Sequence, residues 1–224
     1  HIRSRRQRQM CIRDSSKLFS KNIIKNVIIA YSFTPEKFSN KYEKGVPSVD
    51  KRLKVIKRLS NLGWKLGLRF DPVIIYEGWQ EDYKELFVKI FLNIDINNVG
   101  ITGWSLGGTV SLYSAWMPLI NAINNGEFRF AAHLPIYPGC LAYPYPDESM
   151  IFSQAPVHIL IGELDDWVPA SACTNFLDKL SESGCSNNID ITIYEDAHHS
   201  FDREMELTTI EHGYTLGDCF FPMN

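Results

Sequence analysis

Gly103-Trp104-Ser105-Leu106-Gly107 reads G-x-S-x-G, set between the short β-rich run NVGIT (98–102) and a long apolar segment. At a sharp strand-to-helix turn a serine hydroxyl stands clear of the backbone, and glycines two residues before and after it leave room for the turn. Such a serine also sits at a helix N-terminus. Free N–H groups there, that of Leu106 among them, can stabilise a developing oxyanion. Serine alone is a weak nucleophile and needs a base, which in turn needs an orienting carboxylate. Both follow in the order serine, acid, base: Asp165 in GELDDWVP and His199 in YEDAHHSFD. Asp166 and His198 are immediate rivals that the local residues do not separate. A competing reading makes the acids turn residues that cap the next helix and the histidines a polar loop. Two further residues are candidates for substrate contact: Trp104, beside the serine, and His133, near the end of an expected strand.

Elements that could hold these groups follow from periodicity. Ile23–Tyr31 is short and rich in β-branched residues, so a strand is expected. Val49, Leu53, Ile56, Leu59 and Leu62 recur at three or four residues, as on an amphipathic helix that Gly63 ends. A strand over 65–70 follows, then a helix marked by Tyr83, Leu86, Phe87, Ile90 and Phe91. The strand at 98–102 leads into one buried helix from Leu106 to about Asn121. Further strands are expected at Phe128–Ile136, Val157–Ile161 and Ile191–Tyr194, with a helix carrying Cys173, Phe176, Leu177 and Leu180 between the last two. Strands alternating with helices imply an α/β fold: a mostly parallel sheet with helices on both faces, since each parallel connection needs a crossover. Asp165 and His199 each fall just after an expected strand, where parallel sheets gather their functional groups.

The 224 residues are 45% hydrophobic and 22% charged, the make-up of a folded chain with an ordinary core. A net charge of −3 gives no basic field for nucleic acid or an anionic membrane. Residues 1–16 nevertheless carry five arginines against one acid, and a solvated basic tail over 1–20, disordered or without selected function, is expected there. Starting on His1, the chain is expected to be a fragment. It has neither a long apolar span nor the apolar core of a signal peptide, so a cytoplasmic protein is expected. Five scattered cysteines (Cys11, Cys140, Cys173, Cys185, Cys219), none at C-x-x-C spacing, argue for free thiols and against a cysteine-only metal site. One oxidised pair among the last four stays open.

Residues 95–224 resemble the dienelactone hydrolase family of α/β-hydrolases, through INNVGITGWSLGGTVSLY, FRFAAHLPIYPGC, PVHILIGELDDWVPASAC and YEDAHHSFD. The family's acid motif, G-x-x-D-x-x-V-P, falls on Gly162, Asp165, Val168 and Pro169, and its base precedes a small residue and Phe, as in His199-Ser200-Phe201. The resemblance therefore selects Asp165 and His199 over their neighbours. It implies a serine hydrolase acting on a small-molecule ester or lactone, with no cofactor or metal. The best-known members carry cysteine where this chain has Ser105, which leaves the lactone substrate open.

Upstream, residues 26–91 resemble part of the spore photoproduct lyase type of radical SAM protein, most specifically in GLRFDPVIIYEGW. That family binds its iron–sulfur cluster through C-x-x-x-C-x-x-C, whereas only Cys11 precedes this segment, and one thiolate cannot hold a cluster. The expectation is a chimera: a tail over 1–20, an α/β segment resembling part of a partial barrel over 21–94, and a hydrolase portion over 95–224. The seam falls near Leu92–Asn97. A single hydrolase domain is the rival, because the upstream element order also suits one. As a chimera the hydrolase sheet is incomplete and lacks its second oxyanion donor, so an inert fusion is the alternative function.

Overall fold

The computed structural model describes residue 19 and residues 22–24, 26–70, 73–95, 99–140, 151–184, 188–204 and 206–209. The basic opening, Cys11, Cys185 and Cys219 lie outside them. The chain divides into two compact units, His1–Asp95 and Ile96–Asn224. Both are α/β with parallel strands.

In the first unit the elements run β1 (Ile28–Ser32), α1 (Glu36–Tyr42), α2 (Val49–Asn61), β2 (Lys65–Arg69) and α3 (Trp79–Phe91). β1 pairs in parallel with β2, from Ile28 opposite Lys65 to Ser32 opposite Arg69. β1 starts later than its composition suggests because Ile24 and Val27 close a turn, the Val27 N–H donating to the Ile24 carbonyl at 3.1 Å. Ser48 caps α2 by accepting the Lys51 N–H. The apolar stripe of α2 (Val49, Leu53, Ile56) packs with Phe33, Tyr83, Leu86 and Ile90. Arg52 is buried on the same helix. It reaches the Ser32 carbonyl (2.7 Å) and the Glu43 carboxylate (3.4 Å), so its charge is paired rather than stranded.

The second unit contains β3 (Gly100–Trp104), α4 (Leu106–Tyr113), α5 (Met117–Asn124), β4 (Ala132–Ile136), β5 (Val157–Gly162), α6 (Ala170–Glu182) and β6 (Ile189–Tyr194). Among the described residues its four strands are all parallel, in the order β3-β4-β5-β6. β5 supplies the centre of the core with Val157, Ile159 and Ile161, against Leu112, Ile136, Phe176 and Leu180.

Two differences from the sequence pattern have clear causes. The single helix expected over Leu106–Asn121 is broken at residues 114–116, because Pro118 lies in the first turn of α5 and cannot continue α4. The freed backbone is put to use: Trp116 bridges Phe152, Met117 N–H donates to the Ile151 carbonyl (2.8 Å), and Ser153 N–H donates to that of Ala115 (2.7 Å). β4 is shorter than Phe128–Ile136 because β3 begins only at Gly100, opposite Ala132.

Of the two readings of the cysteines, the one with a single oxidised pair is the one seen, in place of thiols that are all free. Cys140, just past β4, is joined by a disulfide to Cys173 on α6, and both are buried. Among the described residues no helix is long and apolar enough to cross a membrane.

Candidate active site

Ser105 stands between β3 and α4 with φ 53° and ψ −116°, a backbone region costly for any residue with a side chain. Several contacts hold it there. Its N–H donates to the Ile136 carbonyl on the neighbouring strand (3.0 Å), and its carbonyl accepts from Thr109 N–H (2.9 Å) as α4 begins. Ahead of it, Gly103 passes so close to the Gly107 backbone that no Cβ fits at position 103. Gly108 likewise lies against the Ile136 carbonyl, whereas a Cβ on Gly107 would meet open space. The tight contacts therefore fall on Gly103 and Gly108, which corrects the expectation that Gly107 provides the room.

Asp165 lies in the loop between β5 and α6 and is 4% exposed. Its Oδ1 accepts the backbone N–H groups of Trp167 (3.0 Å) and Val168 (2.9 Å), which closes the turn into α6. Its Oδ2 is 2.7 Å from His199 Nδ1. One oxygen thus serves the turn and the other faces the imidazole; the helix itself is capped by Pro169 with no side-chain bond, so the expected helix cap is not formed by Asp165. Asp166 is exposed.

His199 follows β6, in a loop stitched to the acid loop: Leu164 N–H donates to the Ala197 carbonyl and Glu163 N–H to that of Tyr194, both at 2.9 Å. Gly162 makes this approach possible, since a side chain there would strike the Ala197 carbonyl. An ionised carboxylate only accepts, so the His199–Asp165 contact places the imidazole proton on Nδ1. Nε2 is left to accept from the Ser105 hydroxyl, 3.0 Å away. Ser105, His199 and Asp165 therefore converge from three loops at the C-terminal ends of β3, β6 and β5. His198 enters no such chain of contacts.

Leu106 is the first residue of α4, with an exposed side chain, and helix geometry leaves its N–H without an intrahelical acceptor. Trp104 is half exposed beside the serine, and its indole N–H donates to Asp202 Oδ2 (2.8 Å). His133 is placed otherwise than expected. It is the second residue of β4, three before Ile136 and so about 10 Å along the strand from the level of Ser105. It is buried, its Nδ1 donates to the Ser111 carbonyl (2.9 Å), and burial holds its pKa below the usual histidine value. Substrate contact by His133 is withdrawn: it ties β4 to α4.

Three residues were not singled out from the sequence. Tyr137, immediately after β4, lies against the His199 ring with centroids 4.5 Å apart, and Trp167 stacks on the same ring at 5.3 Å and 10°. Asp202 accepts from Tyr137 Oη at 2.8 Å as well as from Trp104. A residue directly following a parallel strand, as Tyr137 does, is the one signal that would have drawn notice.

Residues 84–214, more than half of the chain, match the family model described as "Dienelactone hydrolase family", and the chain belongs to that family. Residues 14–100 match a second model, "Spore photoproduct lyase". Similar curated proteins are the spore photoproduct lyases of Bacillus subtilis, 32% identical over 60 residues (27% of this chain, 18% of the relative), and of Clostridium acetobutylicum, 29% identical over 76 residues (34% and 23%). The chain thus spans less than a quarter of the length of these relatives. Among solved structures, the thermophilic esterase Est2 of Thermogutta terrifontis with propionate bound aligns over 78% of this chain and 73% of its own, with 14% identity and TM-score 0.44. Esterase PE8 aligns over 77% and 84%, with 14% identity and TM-score 0.43. An iron–sulfur cluster does not fit residues 1–95 as they stand, because Cys11 is the one cysteine among them and one thiolate cannot hold a cluster.

Proposed function

We propose that this protein is a serine hydrolase that cleaves an ester or lactone of a small molecule through an acyl-enzyme. The observation that carries the reading is the continuous Asp165–His199–Ser105 contact chain, 2.7 and 3.0 Å long, built on a serine with positive φ. Ser105 Oγ attacks the carbonyl carbon while His199 Nε2 takes its proton, and Asp165 holds the imidazole and offsets the positive charge that forms. The carbonyl π pair moves onto oxygen, where the Leu106 N–H donates to the oxyanion. Collapse expels the alkoxide, which receives the proton from His199. In a lactone that alcohol stays attached to the acyl group. Water, deprotonated by the same histidine, then attacks the ester and releases the acid and Ser105.

A fluorophosphonate probe tests this by bonding to Ser105 in the intact chain and not in Ser105→Ala. Absence of labelling, with no ester hydrolysis above that of the alanine variant, removes the reading.

The second reading, an inert fusion, is favoured by the two family matches, which meet within residues 84–100. It places a seam at residues 92–97 and expects rapid proteolysis there alongside an unreactive Ser105.

A further inference from the structure

The Asp202 carboxylate uses its two oxygens on two different walls of the site. Oδ1 accepts from the hydroxyl of Tyr137, and Oδ2 from the indole N–H of Trp104, both at 2.8 Å. Neither partner is a passive neighbour. Trp104 is the residue before the serine, and Tyr137 lies against the imidazole of His199. We propose that Asp202 is a positioning residue, a carboxylate clamp that fixes Trp104 beside Ser105 and Tyr137 against His199; the catalytic part of this rests on the hydrolase reading above.

The donors leave little choice of acceptor. An indole N–H only donates. Tyr137 is buried, and burial together with the adjacent carboxylate pushes its pKa up, so its hydroxyl stays protonated and donates too. Tyr137 also adopts φ 37°, an unfavourable backbone region for an aromatic residue, and needs surrounding contacts to remain there. Its N–H bond to the Leu160 carbonyl (2.6 Å) supplies one of them and the phenol–carboxylate bond another. Asp202 is itself held close to the base. It is three residues beyond His199, in a turn where Ser200 has φ 64° and Arg203 N–H donates to the Ser200 carbonyl (3.0 Å). The turn that aims the imidazole at Ser105 therefore also aims the carboxylate at the residues flanking both.

The two arms predict separable effects. Losing the Tyr137 arm loosens the support of the histidine and lowers kcat. Losing the Trp104 arm frees an indole at the rim, which acts on KM for the acyl portion of the substrate.

The test uses the full chain and begins with a readout that needs no turnover. In a nitrogen-15 spectrum, the indole N–H resonance that vanishes in Trp104→Phe should move upfield in Asp202→Ala and exchange faster with water. An unchanged resonance overturns the clamp. With a p-nitrophenyl ester, Asp202→Ala should lower kcat about tenfold, the scale for losing hydrogen bonds to a charged group. Tyr137→Phe should lower kcat with KM little changed, and Trp104→Phe should do the reverse. The Asp202→Ala/Tyr137→Phe double variant should be little slower than Asp202→Ala alone, because both cut one bond. Asp202→Asn, which keeps one carbonyl acceptor, should recover part of the rate. Fully multiplicative losses, or an Asp202→Ala enzyme with unaltered kcat, overturn the proposal. If the unaltered chain neither binds fluorophosphonate nor turns over ester, the hydrolase reading fails, and the indole shift still decides the clamp.

Discussion

Gly103 and Gly107 cross so closely at the elbow that a Cβ on the first would lie inside the backbone of the second, while a Cβ on the second would touch nothing. The two glycines of G-x-S-x-G are therefore unequal. Gly103→Ala should force β3 and α4 apart and cost about 1–3 kcal/mol or prevent folding, the scale of overpacking in a tight interior. Gly107→Ala should fold with an unaltered denaturation midpoint. Urea unfolding of both variants checks this, and equal midpoints would contradict the elbow geometry.

The asymmetry shows what a motif can and cannot carry. Ser105, Asp165 and His199 were legible because each follows an apolar β-rich run, and parallel strands with crossovers bring such loop positions to one end of a sheet. Asp165 and His199 were separated from Asp166 and His198 by family resemblance, not by physics. In the structure Asp165 is buried with both oxygens engaged, while Asp166 is exposed. Asp202 was not legible, since an acid in a polar loop looks like any solvated charge, and its partners lie 65 and 98 residues away in sequence. For His133, lying near the end of a strand is not the same as lying at it. The expected strand and the observed β4 both end at Ile136, and His133 is three residues short of that end. The α4–α5 break was visible as Pro118, but the apolar run concealed it.

In the proposed mechanism Asp165 combines a structural and a chemical task, and the two can be separated by substitution. Asn at this position keeps an acceptor for the Trp167 and Val168 N–H groups, so the turn into α6 should survive. Its amide facing His199 Nδ1 favours the wrong tautomer, with the proton on Nε2, where it can no longer accept from Ser105. Asp165→Asn should therefore keep its thermal midpoint while kcat falls by about 10³–10⁴. Asp165→Ala should lose activity and also about 1–3 kcal/mol of stability, because two buried N–H groups lose their acceptor. Paired melting and ester-hydrolysis measurements distinguish the two variants.

The Cys140–Cys173 bond closes a loop between residues 33 apart and ties the segment after β4 to α6. In the chain-entropy view a loop of that size contributes about 3–4 kcal/mol. A strong reductant should lower the melting temperature by roughly 10 °C. The Cys140→Ala/Cys173→Ala variant should melt low with or without reductant. A melting temperature indifferent to reductant in the unaltered chain would mean that the thiols are free.

His133 gives the fold a dependence on pH with a definite sign. Burial lowers its folded-state pKa, so the native protein holds it neutral, with Nδ1 donating to Ser111 and Nε2 without a partner. The unfolded chain takes up a proton near the ordinary value of about 6.5. Between that value and the lower folded one the unfolded state binds more protons, so stability rises with pH across this window. The contribution is complete above about pH 6.5 and is lost as the pH falls toward the folded pKa. His133→Gln cannot titrate and can still donate to the Ser111 carbonyl. Its urea midpoint should therefore fall less than that of the unaltered protein between about pH 7.5 and about pH 5. Equal losses in the two proteins would place the acid sensitivity elsewhere.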